Sequence, residues 1–248
     1  MGTYRMMLVA GLMCMSLVGC STGWPQGRLA TYLGPMSSSP AETKMAKHGD
    51  VRAGLVVIND TSAHDSAPQL SAESFDAIKE HIQFQLTKEV PMVLVGLDTP
   101  IPSTLPTELA SLLQMAKDQQ VDYVVLAVVS STEIEVPDRL PLGGSISGGA
   151  LRGLLVGYRA ENLALAELAL VDVQTGQTLI QVDGQAWASL ERLDVPLESN
   201  IYPVVRRGLE IPPIYPTRED RAHDVMRAVA SSDAINQAVM HFKESWGY

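Results

Sequence analysis

Apolar positions along this chain change period several times, and each change marks an element. Leu55-Val56-Val57-Ile58 is a β-branched run, so Arg52 to Ile58 reads as a buried strand halted by the turn-forming Asn59-Asp60-Thr61-Ser62. From Ser71 to Glu89 the period lengthens. Phe75, Ile78, Ile82 and Leu86 recur every three or four residues, the stripe of an amphipathic helix, with Ser71 suited to its N-cap and Glu73 and Asp76 near the positive end of its dipole. Met92 to Val95, closed by Gly96, is a second short strand, and Leu109, Leu112, Leu113 and Ala116 place a second helix from about Thr107 to Gln119. Val121 to Ile134 opens on a nearly continuous apolar run, as expected of a central strand covered on both faces. Asn162 to Val173 and Thr178 to Ser189 are two further strands, joined by a tight hairpin in which Gly176 supplies the positive φ angle.

After Asn200 to Glu210 comes Ile211-Pro212-Pro213-Ile214-Tyr215-Pro216, stiff and apolar, which either wraps the domain or offers a docking strip. Thr217, with Asp220 three positions on, approaches a capping box and opens a helical stretch. Val225, Ala228 and Val229 precede a break expected at Ser231-Ser232, and Ile235, Ala238, Val239, Phe242 and Trp246 form a last stripe that packs on the sheet. The order β-α-β-α-β-β-β-α predicts an α/β (α+β) class: one domain over residues 51–248, with helices packed on a mixed sheet.

The N-terminus follows a different logic. Arg5 precedes Met6 to Val18, 13 residues without charge, which suits a secretory leader and is too short to span a bilayer. Leu17-Val18-Gly19-Cys20 resembles the lipobox of bacterial lipoproteins. That resemblance implies a signal peptide over residues 1–19, cleavage between Gly19 and Cys20, and a diacylglycerol thioether with an N-acyl chain on Cys20 as the membrane anchor. Two or three acyl chains hold stably where one does not. Ser21 in place of Asp implies, by the sorting rule of the family, the outer membrane, with the protein facing the periplasm; the cell surface is the alternative. Cys14 leaves with the leader, so a mature chain has neither disulfide nor thiol nucleophile and depends on its own core.

Residues 20–50 read as a lipidated tether, rich in Ser, Pro, Gly and Thr, whose roughly 30 flexible residues would reach about 30 Å. Leu29-Ala30-Thr31-Tyr32-Leu33 interrupts it and either docks on the domain or stays free. A hydrophobic content of 46% suffices for a core, and the net charge of −10 argues against nucleic acid, since counterion release needs clustered cations and only Arg206-Arg207 stand together. Aromatic residues at 5% are too few for a stacking or sugar-binding platform.

Candidate chemistry is thin. Leu140 to Gly157 carries glycines at 143, 144, 148, 149, 153 and 157, but no Lys-Ser or Lys-Thr follows to make a phosphate cradle. Ile146 stands where Gly144-Ser145-Ile146-Ser147-Gly148 would need a nucleophilic serine. This segment is a partner-contacting loop or, alternatively, a membrane-entering insertion, although Leu151 to Tyr158 alternates poorly for a spanning strand. Asp60, His64 and Asp65 have donor atoms for a metal but no evident further ligand, so a hydrated turn is preferred and no metal is assigned. His81 and His223 lie among charges and are expected to face solvent. Glu133 and Glu135 share a strand face, as a carboxylate pair or the wet face of an edge.

The element order, together with Val121-Asp122-Tyr123-Val124-Val125-Leu126 and Ala169-Leu170-Val171-Asp172-Val173-Gln174-Thr175-Gly176-Gln177-Thr178-Leu179, resembles the α/β domain of curli-secretion lipoproteins, activators of penicillin-binding proteins and the N-terminal domain of TolB-like proteins. Through its lipobox and Ala30-Thr31-Tyr32-Leu33-Gly34-Pro35, the chain also resembles rhombotarget lipoproteins. The resemblance implies a non-catalytic binding scaffold, an unknown envelope protein as partner, membrane lipid through Cys20, no cofactor and a possible oligomer. The candidate contact residues are Leu154, Leu155 and Tyr158 of the glycine-rich loop with Ile211, Ile214 and Tyr215. The alternatives are an oligomeric export pore, or a hydrolase of envelope polymers built on Asp60, His64, Asp65 and Glu133.

Overall fold

The computed structural model describes residues 23–34, 51–97, 109–138, 157–193, 204–207, 213–216, 218 and 221–247. Its elements are α1 (Leu29–Leu33), β1 (Val51–Asp60), α2 (Ala72–Glu89), β2 (Met92–Gly96), α3 (Leu109–Asp118), β3 (Tyr123–Asp138), β4 (Gly157–Asp172), β5 (Thr178–Leu193), β6 (Val204–Arg206) and α4 (Ala222–Trp246). The mixed α/β class holds. The six strands form one sheet ordered β2-β1-β3-β4-β5-β6, with β1 parallel to β2 and β3 and the remaining pairs antiparallel.

Both faces of the sheet are covered. Ala53, Leu55, Val125, Ala127, Leu168 and Leu170 meet Ile78, Ile82 and Leu86 of α2 and the inner stripe of α4 on one face. Val56, Ile58, Leu126, Val128 and Ala169 meet α3 and, through Leu29 and Tyr32, α1 on the other. Burial on two faces explains the unbroken apolar run at Val124 to Val129, where every side chain is enclosed.

The start of α2 follows local chemistry. Ser71 caps α2, its hydroxyl accepting from the Ser74 amide at 3.2 Å, as its position in the sequence predicts. Asp224 of α4 then ties the two helices together, accepting from the Ser71 amide at 2.8 Å and from the Ser71 and Ser74 hydroxyls at 2.7 and 2.6 Å. Burial pushes the Asp224 carboxyl up, but these hydrogen bonds and the Arg227 charge outweigh it and hold the group below the usual carboxylate range. In the β4–β5 hairpin, Asp172 Oδ1 collects the Gln174 and Thr175 amides while Gly176 takes φ +70°.

Three expectations change. Asn59 and Asp60 belong to β1 and are buried, because each meets polar partners that a turn would not supply: Asn59 accepts from the Leu70 amide at 3.0 Å and donates to the Val129 carbonyl at 3.3 Å. The break expected at Ser231-Ser232 does not occur. Helix α4 runs through it with Ser231 buried beside Ala230, Ala234 and Ala238, small residues that let the helix backbone approach β5. At Gly184 a Cβ would overlap the Ala234 carbonyl oxygen and the Ala238 amide nitrogen, so only glycine permits this contact. Third, Glu133 is not on a wet face: β3 runs past its last pairing with β1 at Ser130, and there Glu133 is largely covered by Arg227 of α4.

Candidate functional site

Strands β1 and β3 lie side by side, and their onward connections leave in opposite directions, β1 toward β2 and β3 toward β4. Open α/β sheets take ligands in the crevice beside the strand ends at such a point. Asp60, the last residue of β1, stands there with 2% exposure, and its partners are Ser62 and two residues of the chain's own N-terminal segment. Its Oδ2 accepts from Arg28 Nε at 3.1 Å and from the Tyr32 hydroxyl at 3.0 Å; its Oδ1 accepts from the Ser62 amide at 2.8 Å and the Ser62 hydroxyl at 2.6 Å. Burial alone would raise this carboxyl, but the hydrogen bonds from Ser62, Arg28 and Tyr32 together bring it below its ordinary range. For Tyr32, burial first and the neighbouring carboxylate second push the phenol well above its usual value, keeping it a donor.

A second carboxylate completes the attachment. Glu167 of β4 accepts from the Arg28 and Leu29 amides at 2.5 and 3.0 Å, meeting the unsatisfied donors at the start of α1. Here the balance is opposite. Burial raises the Glu167 carboxyl, the two amides only partly offset it, and the charges of Asp183 and Asp60 raise it further. Upstream, the Thr132 hydroxyl donates to the Gly23 carbonyl, so the segment is held from Gly23 to Tyr32 across one sheet face. A small acidic cleft of about 470 Å³ opens beside it, lined in part by Gly27, Glu167 and Asp183.

The open question about Leu29 to Leu33 is thereby answered: the segment docks, as a helical turn with Leu29 and Tyr32 enclosed. His64 and Asp65 are exposed, and no group of metal-ligating side chains occurs among the described residues. Asp60 and Glu133 reach opposite faces of the sheet, so the carboxylates and imidazole nominated for hydrolysis do not converge. Glu133 accepts from Arg227 Nη1 at 2.9 Å and faces His223 Nδ1 at 2.6 Å, both on α4. His223 is therefore engaged rather than free in solvent, as is His81, whose Nε2 lies 2.8 Å from Asn236 Oδ1.

Of the candidate contact residues, Ile214 pairs with Val205 by two backbone hydrogen bonds of 2.9 and 2.8 Å and packs against the core, so the proline-rich strip wraps the domain there. Tyr215 beside it is 62% exposed. Gly19, Cys20, Leu154, Leu155, Ile211 and the side chain of Tyr158 lie outside the described residues. Among the described residues, no helix is long and apolar enough to cross a membrane.

The sheet, its two-sided helical cover and the self-filled crevice define an α/β domain. No family model and no curated protein matches the chain. Among solved structures it is similar to the PelC dodecamer from Paraburkholderia phytofirmans, at 13% identity and a TM-score of 0.33, covering 79% of this chain and 88% of that one. It is also similar to a neuraminyllactose-binding hemagglutinin homologue from Helicobacter pylori, at 8% identity and a TM-score of 0.41, covering 79% and 85%. A hypothetical protein from Chlamydia trachomatis aligns at 12% identity and a TM-score of 0.39, covering 80% and 99%. Likeness at these values carries no functional argument.

Proposed function

We propose that this protein is a lipid-anchored binding scaffold of the outer membrane, which faces the periplasm and recognises an envelope protein in assembly, secretion or cell-wall maintenance. It acts by binding rather than catalysis. The observation that carries the reading is the sequence Leu17-Val18-Gly19-Cys20 followed at once by a segment folded onto the domain from Gly23. An acylated Cys20 would then hold a folded surface beside the bilayer, where partners are met by diffusion in two dimensions. The polar groups that could suggest chemistry support the same reading, because Asp60, Glu167 and Glu133 each hold elements of the fold together. Leu154, Leu155, Tyr158 and Tyr215 form the proposed contact surface.

A photo-crosslinking amino acid at position 215, introduced in living cells, tests this. A discrete adduct with an envelope protein, lost when Leu154, Leu155 and Tyr158 are made polar, is the expected result. Recovery of the chain from cytosol without any adduct would overturn it.

A further inference from the structure

The docked segment fixes where an anchor would meet the fold. Only Ser21 and Thr22 separate Cys20 from Gly23, and the three Cα–Cα steps between them span at most about 11 Å even when fully extended. Gly23 is laid against the outer part of the β3–β4 pair. A Cβ on it would stand 3.1 Å from Ile134 Cδ1 and 3.6 Å from Leu163 Cδ1, and its carbonyl is held by Thr132. An acylated Cys20 would therefore stand within that reach of the patch.

The same face carries large apolar side chains left in the open. Thr132, Leu163 and Trp187 stand opposite one another on β3, β4 and β5, with Ile134 two residues along. Ile134 is 48% exposed and Trp187 37%, and the half-buried Trp24 lines an open cleft together with Trp187. Tryptophan is the side chain most at home at the level of lipid headgroups, with an apolar body and one donor. Two ion pairs border the patch, Arg159 with Glu161 at 3.1 Å and Arg206 with Glu191 at 3.1 Å, and the acidic cleft of Glu167 and Asp183 lies farther along the same face.

We infer that this patch, centred on Ile134, Leu163 and Trp187, is a membrane-seating surface that rests on the phospholipid bilayer holding the Cys20 acyl chains. The inference builds on the lipid-anchor reading. It adds an orientation: the face bearing α1 turns toward lipid, while α4 and Trp246, on the opposite face, point away.

The test uses the full mature protein, purified from membranes and reconstituted in phosphatidylethanolamine and phosphatidylglycerol vesicles whose acyl chains are brominated. The chain holds three tryptophans, so Trp24→Phe with Trp246→Phe leaves Trp187 as reporter, and Trp24→Phe with Trp187→Phe leaves Trp246 as reference. Brominated lipid should quench Trp187 emission at least twofold and leave Trp246 unchanged. Adding Ile134→Asp should remove most of that quenching without releasing the protein from the vesicles. Equal or absent quenching of both tryptophans, with intact mass showing an acylated Cys20, overturns the seating and leaves the anchor standing. Absent quenching accompanied by a dimer mass assigns the patch to a second copy instead. An intact mass without acyl chains overturns the anchor and, with it, this inference.

Discussion

Replacing Asp60 by Ala is the sharpest test of how the N-terminal segment is held. The substitution leaves the Tyr32 hydroxyl, enclosed and raised well above its usual range, without its charged acceptor. A hydrogen bond to a charged group contributes about 1.5–3 kcal/mol, and an orphaned buried hydroxyl costs a similar amount. The Arg28 ion pair adds less, about 1 kcal/mol at most, because its side chain keeps 27% exposure and rehydrates. The Ser62 bonds add about 1 kcal/mol. The expected loss is therefore about 2.5–5 kcal/mol in urea unfolding, of which about 2 kcal/mol should appear as coupling in a double-mutant cycle with Tyr32→Phe. Amide exchange read in parallel should show Leu29 to Leu33 losing protection before the β3–β4 core does. The pH dependence has a definite sign. With its folded value depressed, Asp60 stabilises above its unfolded value near 3.8 and loses that contribution as pH falls through the folded value, so the wild-type advantage should shrink below about pH 4. A loss under about 0.5 kcal/mol with α1 protection unchanged would refute the latch.

Four other outcomes follow from the same geometry. Glu167→Gln should gain stability relative to wild type as pH rises above about 4.5, because a carboxyl raised in the folded state favours folding only while protonated; a flat difference between pH 4 and 7 in thermal melts would contradict the raised value. Gly184→Ala should destabilise by about 1–3 kcal/mol or more, since the new methyl meets α4 backbone rather than a side chain able to move, and calorimetry showing no loss would mean that the helix sits farther from β5. Glu133→Ala takes from the mostly buried Arg227 its 2.9 Å partner, leaving Asp224 at 3.9 Å, and should cost about 3 kcal/mol in denaturant melts, whereas Glu133→Gln should recover part of that loss; a Glu133→Ala melt equal to wild type would show that the ion pair contributes nothing. Asp224→Ala removes the shared acceptor at the start of α2 and should cost about 1–2 kcal/mol, with exchange rising first at Ser74 and Phe75.

The regular elements were legible because their signals are local. The stripe Phe75, Ile78, Ile82 and Leu86 and the Ser71 cap each sit within one turn or two, and the structure places α2 between them almost residue for residue. The long strands extend beyond their sequence signal. Beyond Ile134 and before Asn162 the chain turns polar, and the partners that keep it extended, such as Glu161 opposite Ile134 and Arg159 opposite Val136, lie more than twenty residues away. Small residues mislead in the other direction: Ser231-Ser232 resembles a break until the next turn, Ala234 to Ala238, is known to lie on Gly184. Asp60 illustrates the hardest case. A lone aspartate after an apolar run signals a turn, and only the fold brings Arg28 and Tyr32 to it across about thirty residues of sequence. His223 and Glu133, ninety residues apart, were hidden for the same reason.

The proposed role depends on a lipid at position 20. Cells expressing the full chain, grown with radiolabelled palmitate and compared with a Cys20→Ala variant, give the most direct reading. Label that travels with the wild-type polypeptide into the outer-membrane fraction and vanishes in the variant is the predicted result. An unlabelled wild-type chain, or one whose label survives the loss of Cys20, would contradict the proposal.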